Sequence, residues 1–469
     1  MVPERLAPVL DEVRPLAERL AAGGHRAYLV GGTVRDLLLG RGLEAIDFDL
    51  TTDARPDDIE QVVRGWADAV WVQGKRFGTI GCRKGGRSFE ITTHRAEAYR
   101  PDSRKPEVRF ADAVEADLSR RDFTVNAMAL RVGPTPPAAP AGEEPQLVDP
   151  FGGAADLAAR RLRTPLPPEE SFGDDPLRML RAARFIAAHA LAPAPDLVEA
   201  VRRLHPRLEV VSAERIRDEL DKLLVVERPE AGLQFLVETG LADEFLPELP
   251  AMALEQDPVH RHKDVLAHTI AVVGKTRPDR ILRLAALFHD VGKPKTRSFG
   301  PGGKVTFHHH EVVGARMTRE RMQALRYPAE DVDAVSRLVE LHLRFHTYRM
   351  GWTDSAVRRY VRDAGPLLDR LNQLTRSDCT TRNRRKAEEL ARRMDALEAR
   401  IEELRAEEEL SRIRPDLDGR QVMAQLGIGP GPAVGQALDF LLELRLEEGP
   451  LGEEEARRRL DAWWAARRH

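Results

Sequence analysis

Apolar and polar positions alternate in short runs over the first third of the chain and recur at helical spacing through the rest. Residues 1–22 predict an amphipathic helix, "RAYLVGG" a strand running into a turn, and "TVRDLLLG" a helix closed by Gly40. In "EAIDFDLTT" Ile46, Phe48 and Leu50 point to one face of a strand and Asp47 and Asp49 to the other. "ARPDDIEQVVRGWA" predicts a helix begun by Pro56 and acids. Strands follow, with turns at Gly74, Gly78 and Gly85–Gly86. The basic, proline-broken stretch 96–113 predicts a mobile loop, and the low-complexity stretch 133–146 a surface excursion. From about Leu157 the pattern is helical; Leu390, Met394, Leu397, Ile401 and Leu404 make a short heptad seam that suits an intramolecular docked helix.

The 469 residues allow several domains and at least one large core. No apolar run is long enough to span a membrane, and the N-terminus lacks the apolar core of an export signal. Cys82 and Cys379 form neither a disulfide framework nor a zinc cluster, so a cytoplasmic location is expected. A net charge of −3 excludes a polycation. Arginines nevertheless bunch around 100–121, 160–184 and 376–393, which suits either a polyanionic partner or solvated helix faces.

Candidate chemistry begins at Asp47 and Asp49, whose mutual repulsion a hard divalent cation relieves; an edge strand with a solvated acidic face is the alternative. Gly31 and Gly32 lie between a strand and a helix, where backbone approaches phosphate closely, and Arg35 adds a bidentate donor. Glu90 in "SFEIT" either completes an oxygen site for two magnesium ions or is an exposed strand residue.

"LVGGTVRD…DFD", "RRDFTVNAMA" (120–129), "DPFGG" (149–153) and "DDPLRMLRAARF" (174–185) together resemble the class II tRNA nucleotidyltransferases, the family of CCA-adding enzymes and bacterial poly(A) polymerases. The resemblance implies an α+β chain: a polymerase-β-like head with a mixed sheet and helices, then all-α neck, body, HD and tail domains. The boundaries expected are 1–150 head, 151–225 neck, 226–256 body, 257–385 HD domain and 386–469 helical tail. It also implies ribose and triphosphate roles for Arg121, Asp122 and Asn126, and a flexible loop at Arg95–Arg109 of the kind CCA-adding members need for the final A. "SAERIRDEL" (212–220) is similar to the family's next motif, where Glu214 and Arg215 stabilise a helix. The whole layout looks most like actinobacterial members.

In "SFGDDPLRMLRAARF" Asp175 and Arg178 are three apart and are expected on one helix face, extended by Arg181 and Arg184. Aspartate accepts hydrogen bonds and arginine donates them. Cytosine and adenine each offer an amino donor beside a ring acceptor; uracil and guanine present the reverse. One Asp–Arg pair therefore selects C and A without a template. An intrahelical salt bridge is the bland alternative. Asp174 replaces the Glu usual in the family, which leaves its role open.

His289 and Asp290 are adjacent on an apolar helix, and a buried His–Asp doublet needs a partner. With His268 and Asp378 they resemble the HD metal-dependent phosphohydrolase superfamily. His310, with His342 or His346, suits a second metal; His309 is a weaker candidate. Imidazole and carboxylate donors fit manganese, nickel, iron or zinc. The expected function is template-independent addition of C, C and A to tRNA 3′ ends from CTP and ATP with magnesium, plus a metal-dependent phosphatase or phosphodiesterase activity. The alternatives are a poly(A) polymerase, a CC-only or A-only enzyme, and a phosphohydrolase with a non-catalytic RNA-binding head. Oligomeric state is not legible.

Overall fold

Seven strands form one mixed sheet in the order β3-β4-β5-β2-β1-β8-β9. They are β1 (Ala27–Val30), β2 (Phe48–Thr52), β3 (Ala69–Trp71), β4 (Thr79–Lys84), β5 (Arg87–Thr93), β8 (Ala129–Val132) and β9 (Leu147–Val148); β6 (Arg95–Ala98) and β7 (Glu107–Phe110) make a separate antiparallel ribbon. The structure, a computed structural model, describes residues 7–41, 47–98, 107–133, 146–254, 264–300, 305–347, 352–379, 384–407 and 413–467. Ile46, the centre of the expected mobile loop and most of the excursion at 133–146 lie outside these residues. The ends of that loop are not irregular: they pair as β6 and β7, with Arg95 opposite Phe110.

β2 and β5 are the parallel pair, and every other neighbour in the seven-stranded sheet is antiparallel. On β2 the side chains alternate from Phe48 to Leu50: both are buried, while Asp49 between them is exposed. Phe48 stacks on Phe89 of β5 with ring centroids 5.0 Å apart. Helices α1 (Ala7–Ala22), α2 (Gly32–Leu38), α3 (Pro56–Arg64) and α4 (Val114–Ser119) complete the head. α1 buries Val9, Val13, Leu16 and Leu20, the helical spacing read from the sequence, and α3 carries Asp57 and Asp58 in its first turn after Pro56.

Helices α5 (Gly153–Ala158), α6 (Pro168–Asp174) and α7 (Leu177–His189) follow. The break between α6 and α7 corrects the sequence reading, which put Asp175 and Arg178 on one helix. Asp175 is extended, at φ −137° and ψ 99°. Pro176 is the reason: its ring disfavours helical backbone in the residue before it.

The chain forms two compact units, Met1–Leu223 with Ala231–Glu244, and Leu224–Glu230 with Phe245–His469. Among the described residues the second is helical apart from one short antiparallel pair, Arg297–Phe299 with Val305–Phe307. The heptad seam lies on the helix Arg384–Glu407: Met394, Leu397, Ile401 and Leu404 are buried, and the helix packs on Asp354–Ala364 and Leu368–Asp378 of the same chain. Three helices, Gly419–Leu426, Pro432–Glu448 and Glu453–Ala466, share a small core of Leu417, Val422, Leu441 and Leu460. No described helix is long and apolar enough to cross a membrane.

Candidate functional site

Asp49 and Glu90 are register partners on β2 and β5, so their side chains rise from the same face of the sheet. Asp47 precedes β2 and is exposed. Asp49 and Glu90 line a cleft of about 290 Å³ with Thr79, Thr92, Arg95, Arg120 and Arg121. Desolvation by the cleft walls and the charge of Glu90 push the Asp49 carboxyl up to about 6, against the pull of Arg121. Two carboxylates side by side, one of them resisting ionisation, are a donor set that a divalent cation fits.

Gly31, at φ +66°, holds the turn between β1 and α2 in the left-handed region, and a Cβ there would meet Arg121 Nη1 at 2.9 Å. The glycine thus lets the Arg121 guanidinium lie against the backbone beside the acidic cleft. Gly32 begins α2.

A second cleft of about 290 Å³ is lined by Arg120, Arg121, Asp122, Asp175, Leu177, Arg178, Arg181 and Arg215. Asp175 and Arg178 share it although a helix break separates them. Asp175 Oδ1 accepts the Leu177 N–H at 3.2 Å, starting α7, and Oδ2 accepts Arg215 Nη2 at 3.0 Å. Arg215, expected to stabilise its own helix, thus reaches Asp175, while Glu214 is exposed. Arg178 is buried and donates to Ser171 Oγ at 2.9 Å and to the Arg120 carbonyl at 2.5 Å. Asp174 ends α6.

Behind this wall stands a buried layer. Asp122 accepts from Asn126 Nδ2 at 2.9 Å and from Arg181 Nε at 2.9 Å. Burial works to raise the Asp122 pKa, but the Arg181 guanidinium and the Asn126 amide outweigh it and hold it below the usual range. Arg35 donates to Asn126 Oδ1 at 2.6 Å and to Asp36 through Nε and Nη2, and its guanidinium lies 5.4 Å from the centre of the Phe185 ring. Arg35 is thus buried beside Asn126, the same amide that holds Asp122. Arg184 donates to the buried Glu219 at 2.8 Å.

The second unit gathers the histidines and aspartates into two groups of three: His268, His289 and Asp378, and Asp290, His310 and His342, each with donor atoms within 4.8 Å of one another. Asp290 joins them. Its Oδ2 lies 3.2 Å from His289 Nε2 and 3.5 Å from His268 Nε2, while Oδ1 lies 3.4 Å from His310 Nε2 and 4.0 Å from His342 Nε2. His268 Nε2 and Asp378 Oδ1 are 2.9 Å apart. His289, His310 and His342 each turn Nδ1 to a backbone carbonyl, of Ala286, Phe307 and Val339. A carbonyl only accepts, so Nδ1 carries the hydrogen and Nε2 faces inward. Nε2 of His310 and of His342 is buried with no hydrogen-bond partner. Orphaned imidazole nitrogens beside carboxylates fit a transition metal. Burial holds His342 neutral, its pKa lowered to about 3. His309 and His346 fall outside both groups.

Sequence reading missed Asp117, Glu219 and Lys293. Asp117 holds Arg120 and Arg121, and Lys293 donates to Asp290 Oδ2 at 2.6 Å. The signals were the helical spacings of Asp117 to the two arginines and of Asp290 to Lys293.

A mixed-sheet head with paired strand carboxylates, an arginine wall and a separate histidine–aspartate centre defines a nucleotidyltransferase joined to an HD domain. Residues 27–163 match the Poly A polymerase head domain, 191–252 the family described as Probable RNA and SrmB-binding site of polymerase A, and 265–401 the HD domain. The chain is 35% identical to the A-adding tRNA nucleotidyltransferase of Deinococcus radiodurans, over 93% of this chain and 95% of that one. It is 34% identical to the CC-adding tRNA nucleotidyltransferase of Thermus thermophilus, over 93% of each. The CCA-adding enzyme of Geobacillus stearothermophilus is 37% identical over 52% of this chain and 56% of its own. The Bacillus stearothermophilus CCA-adding enzyme in complex with CTP has the same fold, with a TM-score of 0.69 at 24% identity over 100% of this chain and 99% of that one. The chain belongs to the tRNA nucleotidyltransferase and poly(A) polymerase family.

Proposed function

We propose that the protein adds C, C and A to the 3′ end of tRNA from CTP and ATP, without a template, in the cytoplasm. The observation that carries this is the Asp49–Glu90 pair beside an arginine wall that continues to Asp175 and Arg178. Asp47, Asp49 and Glu90 would hold magnesium, which supplies positive charge to the triphosphate and acidity to the attacking hydroxyl. Arg121 and Arg120 bind phosphate, Gly31 and Gly32 let it approach the backbone, and Asp122, set by Asn126 and Arg181, takes the ribose. Asp175 accepts the amino group of cytosine or adenine, and Arg178 donates to its ring nitrogen. Arg35 and Arg184 hold this wall in place from behind.

Full-length likeness to an A-adding and a CC-adding enzyme favours a second reading, in which only one part of the sequence is added. Incubating tRNAs ending in -N, -NC and -NCC with each labelled nucleoside triphosphate separates the two. Completion of all three ends supports CCA addition. Addition only to -NCC, or a stop at -NCC, supports the second reading, and long A tails overturn both.

The HD groups support a separate metal-dependent hydrolysis of phosphate monoesters or 2′,3′-cyclic phosphates. His268, His289, Asp290 and Asp378 would hold one ion and His310 and His342, with Asp290, a second; manganese, nickel, iron or zinc supplies Lewis acidity there. Protein stripped of metal and refilled should hydrolyse bis-p-nitrophenyl phosphate or 2′,3′-cAMP. Inertness with every one of these metals contradicts the reading.

A further inference from the structure

We propose that Asp117 is a positioning residue that ties the phosphate-binding wall of the head to the base-reading pair, an inference that rests on the nucleotidyl-transfer reading above. Asp117 lies on α4, is 0% exposed, and lines neither cleft. Its Oδ1 accepts from Arg120 Nε at 3.2 Å and Nη2 at 2.9 Å, and its Oδ2 from Arg121 Nε at 3.3 Å and Nη2 at 3.0 Å. Oδ1 also faces the backbone N–H of Arg95, the first residue of β6, at 3.3 Å. A carboxylate has about four lone-pair sites. Two guanidinium forks and one amide bring five N–H groups to them, so the carboxylate is saturated.

The two arginines so held line both clefts. Arg121 lies against Gly31 beside Asp49, and the Arg120 carbonyl holds the Arg178 guanidinium at 2.5 Å. One buried carboxylate therefore sets the side chains that meet phosphate and the backbone that aims the base reader. The ribbon of β6 and β7 is rooted on the same group. An amide of the same shape cannot do this work: it carries no charge to balance two adjacent guanidinium groups, and half of its capacity is donor. With the charge gone, Arg120 and Arg121 turn to other acceptors, and the carboxylates of Asp49, Glu90, Asp122 and Asp175 line the same clefts.

Nucleotide addition by the full-length Asp117→Asn protein tests the coupling. The KM for CTP and ATP should rise at least about tenfold with a smaller change in kcat, and the preference for CTP over UTP should fall in the same variant. Arg121→Ala should raise KM without loosening base choice. Unchanged KM in a folded Asp117→Asn protein, or raised KM with base choice intact, overturns the inference. If that variant shows no cooperative melting transition, Asp117→Ala assayed with and without formate replaces it; recovery of both parameters with formate supports the inference and no recovery overturns it. A wild-type protein that adds no nucleotide overturns the reaction itself, and this coupling with it.

Discussion

Asp49 of β2 and Glu90 of β5 stand as direct partners across the one parallel junction of the head sheet. That pairing sets two carboxylates side by side in one cleft. Replacing Glu90 by Gln keeps the shape and removes a charge. Nucleotide addition should fall about 10- to 100-fold, and half-maximal activity should need more magnesium. A magnesium titration of the variant measures both; an unshifted titration removes Glu90 from the site.

Asp175 and Arg178 line one cleft, and the proposed reading has them present an acceptor and a donor to the base there. Asp175→Asn swaps half of the acceptor for a donor and should admit uracil. At about 1–3 kcal/mol per mismatched contact, the preference for CTP over UTP should drop roughly 5- to 150-fold. Competing labelled CTP and UTP in one reaction reads the ratio directly.

His94 gives the head an acid-sensitive element. It is 0% exposed, its Nδ1 meets Thr51 Oγ1 at 2.8 Å, and burial lowers its pKa from 6.5 to about 4, with Asp117 opposing. In the unfolded chain it titrates near its ordinary value. Below about pH 6.5 the unfolded chain therefore takes a proton that the folded one refuses. Its stabilising contribution is complete above that pH and is lost as pH falls toward 4, by up to about 1.4 kcal/mol per pH unit. Urea unfolding at pH 7.5 and 5 should show the loss, and His94→Gln should flatten it.

In the second unit Arg283 is 1% exposed and donates to the carbonyls of Leu224, Val226 and Thr276. Arg283→Met keeps the volume and orphans three acceptors. The unit should lose about 3 kcal/mol or more, at about 1–3 kcal/mol per stranded buried group. Denaturant titration followed by circular dichroism checks this.

Local chemistry was legible in the sequence. The alternation around Phe48, Asp49 and Leu50, the glycine turn at Gly31 and the helix start at Pro56 follow from steric and periodic rules that act over a few residues. His289 and Asp290 were legible because a buried ionisable doublet on an apolar helix needs a partner, and His268 and Asp378 joined them through the resemblance to the HD superfamily. The second group was read as His310 with His342 or His346; that Asp290 joins it, and that His342 is the partner, was not legible, because it depends on side chains brought together across the chain. The break at Asp175 was missed because helical spacing was read through Pro176. The pairing of Arg35 with Asn126 was not legible, because the two lie 91 residues apart in sequence.

In the proposed reading Asp47 and Asp49 carry nucleotide addition, and the histidine–aspartate groups serve a different reaction. Incorporation of labelled CTP into tRNA ending in -N, by the Asp47→Ala/Asp49→Ala and the His289→Ala/Asp290→Ala proteins with unchanged circular dichroism, tests it most directly. Loss of incorporation in the first and retention in the second is the expected result. Incorporation that persists without the two head carboxylates, or vanishes with the second substitution in a folded protein, would contradict the account.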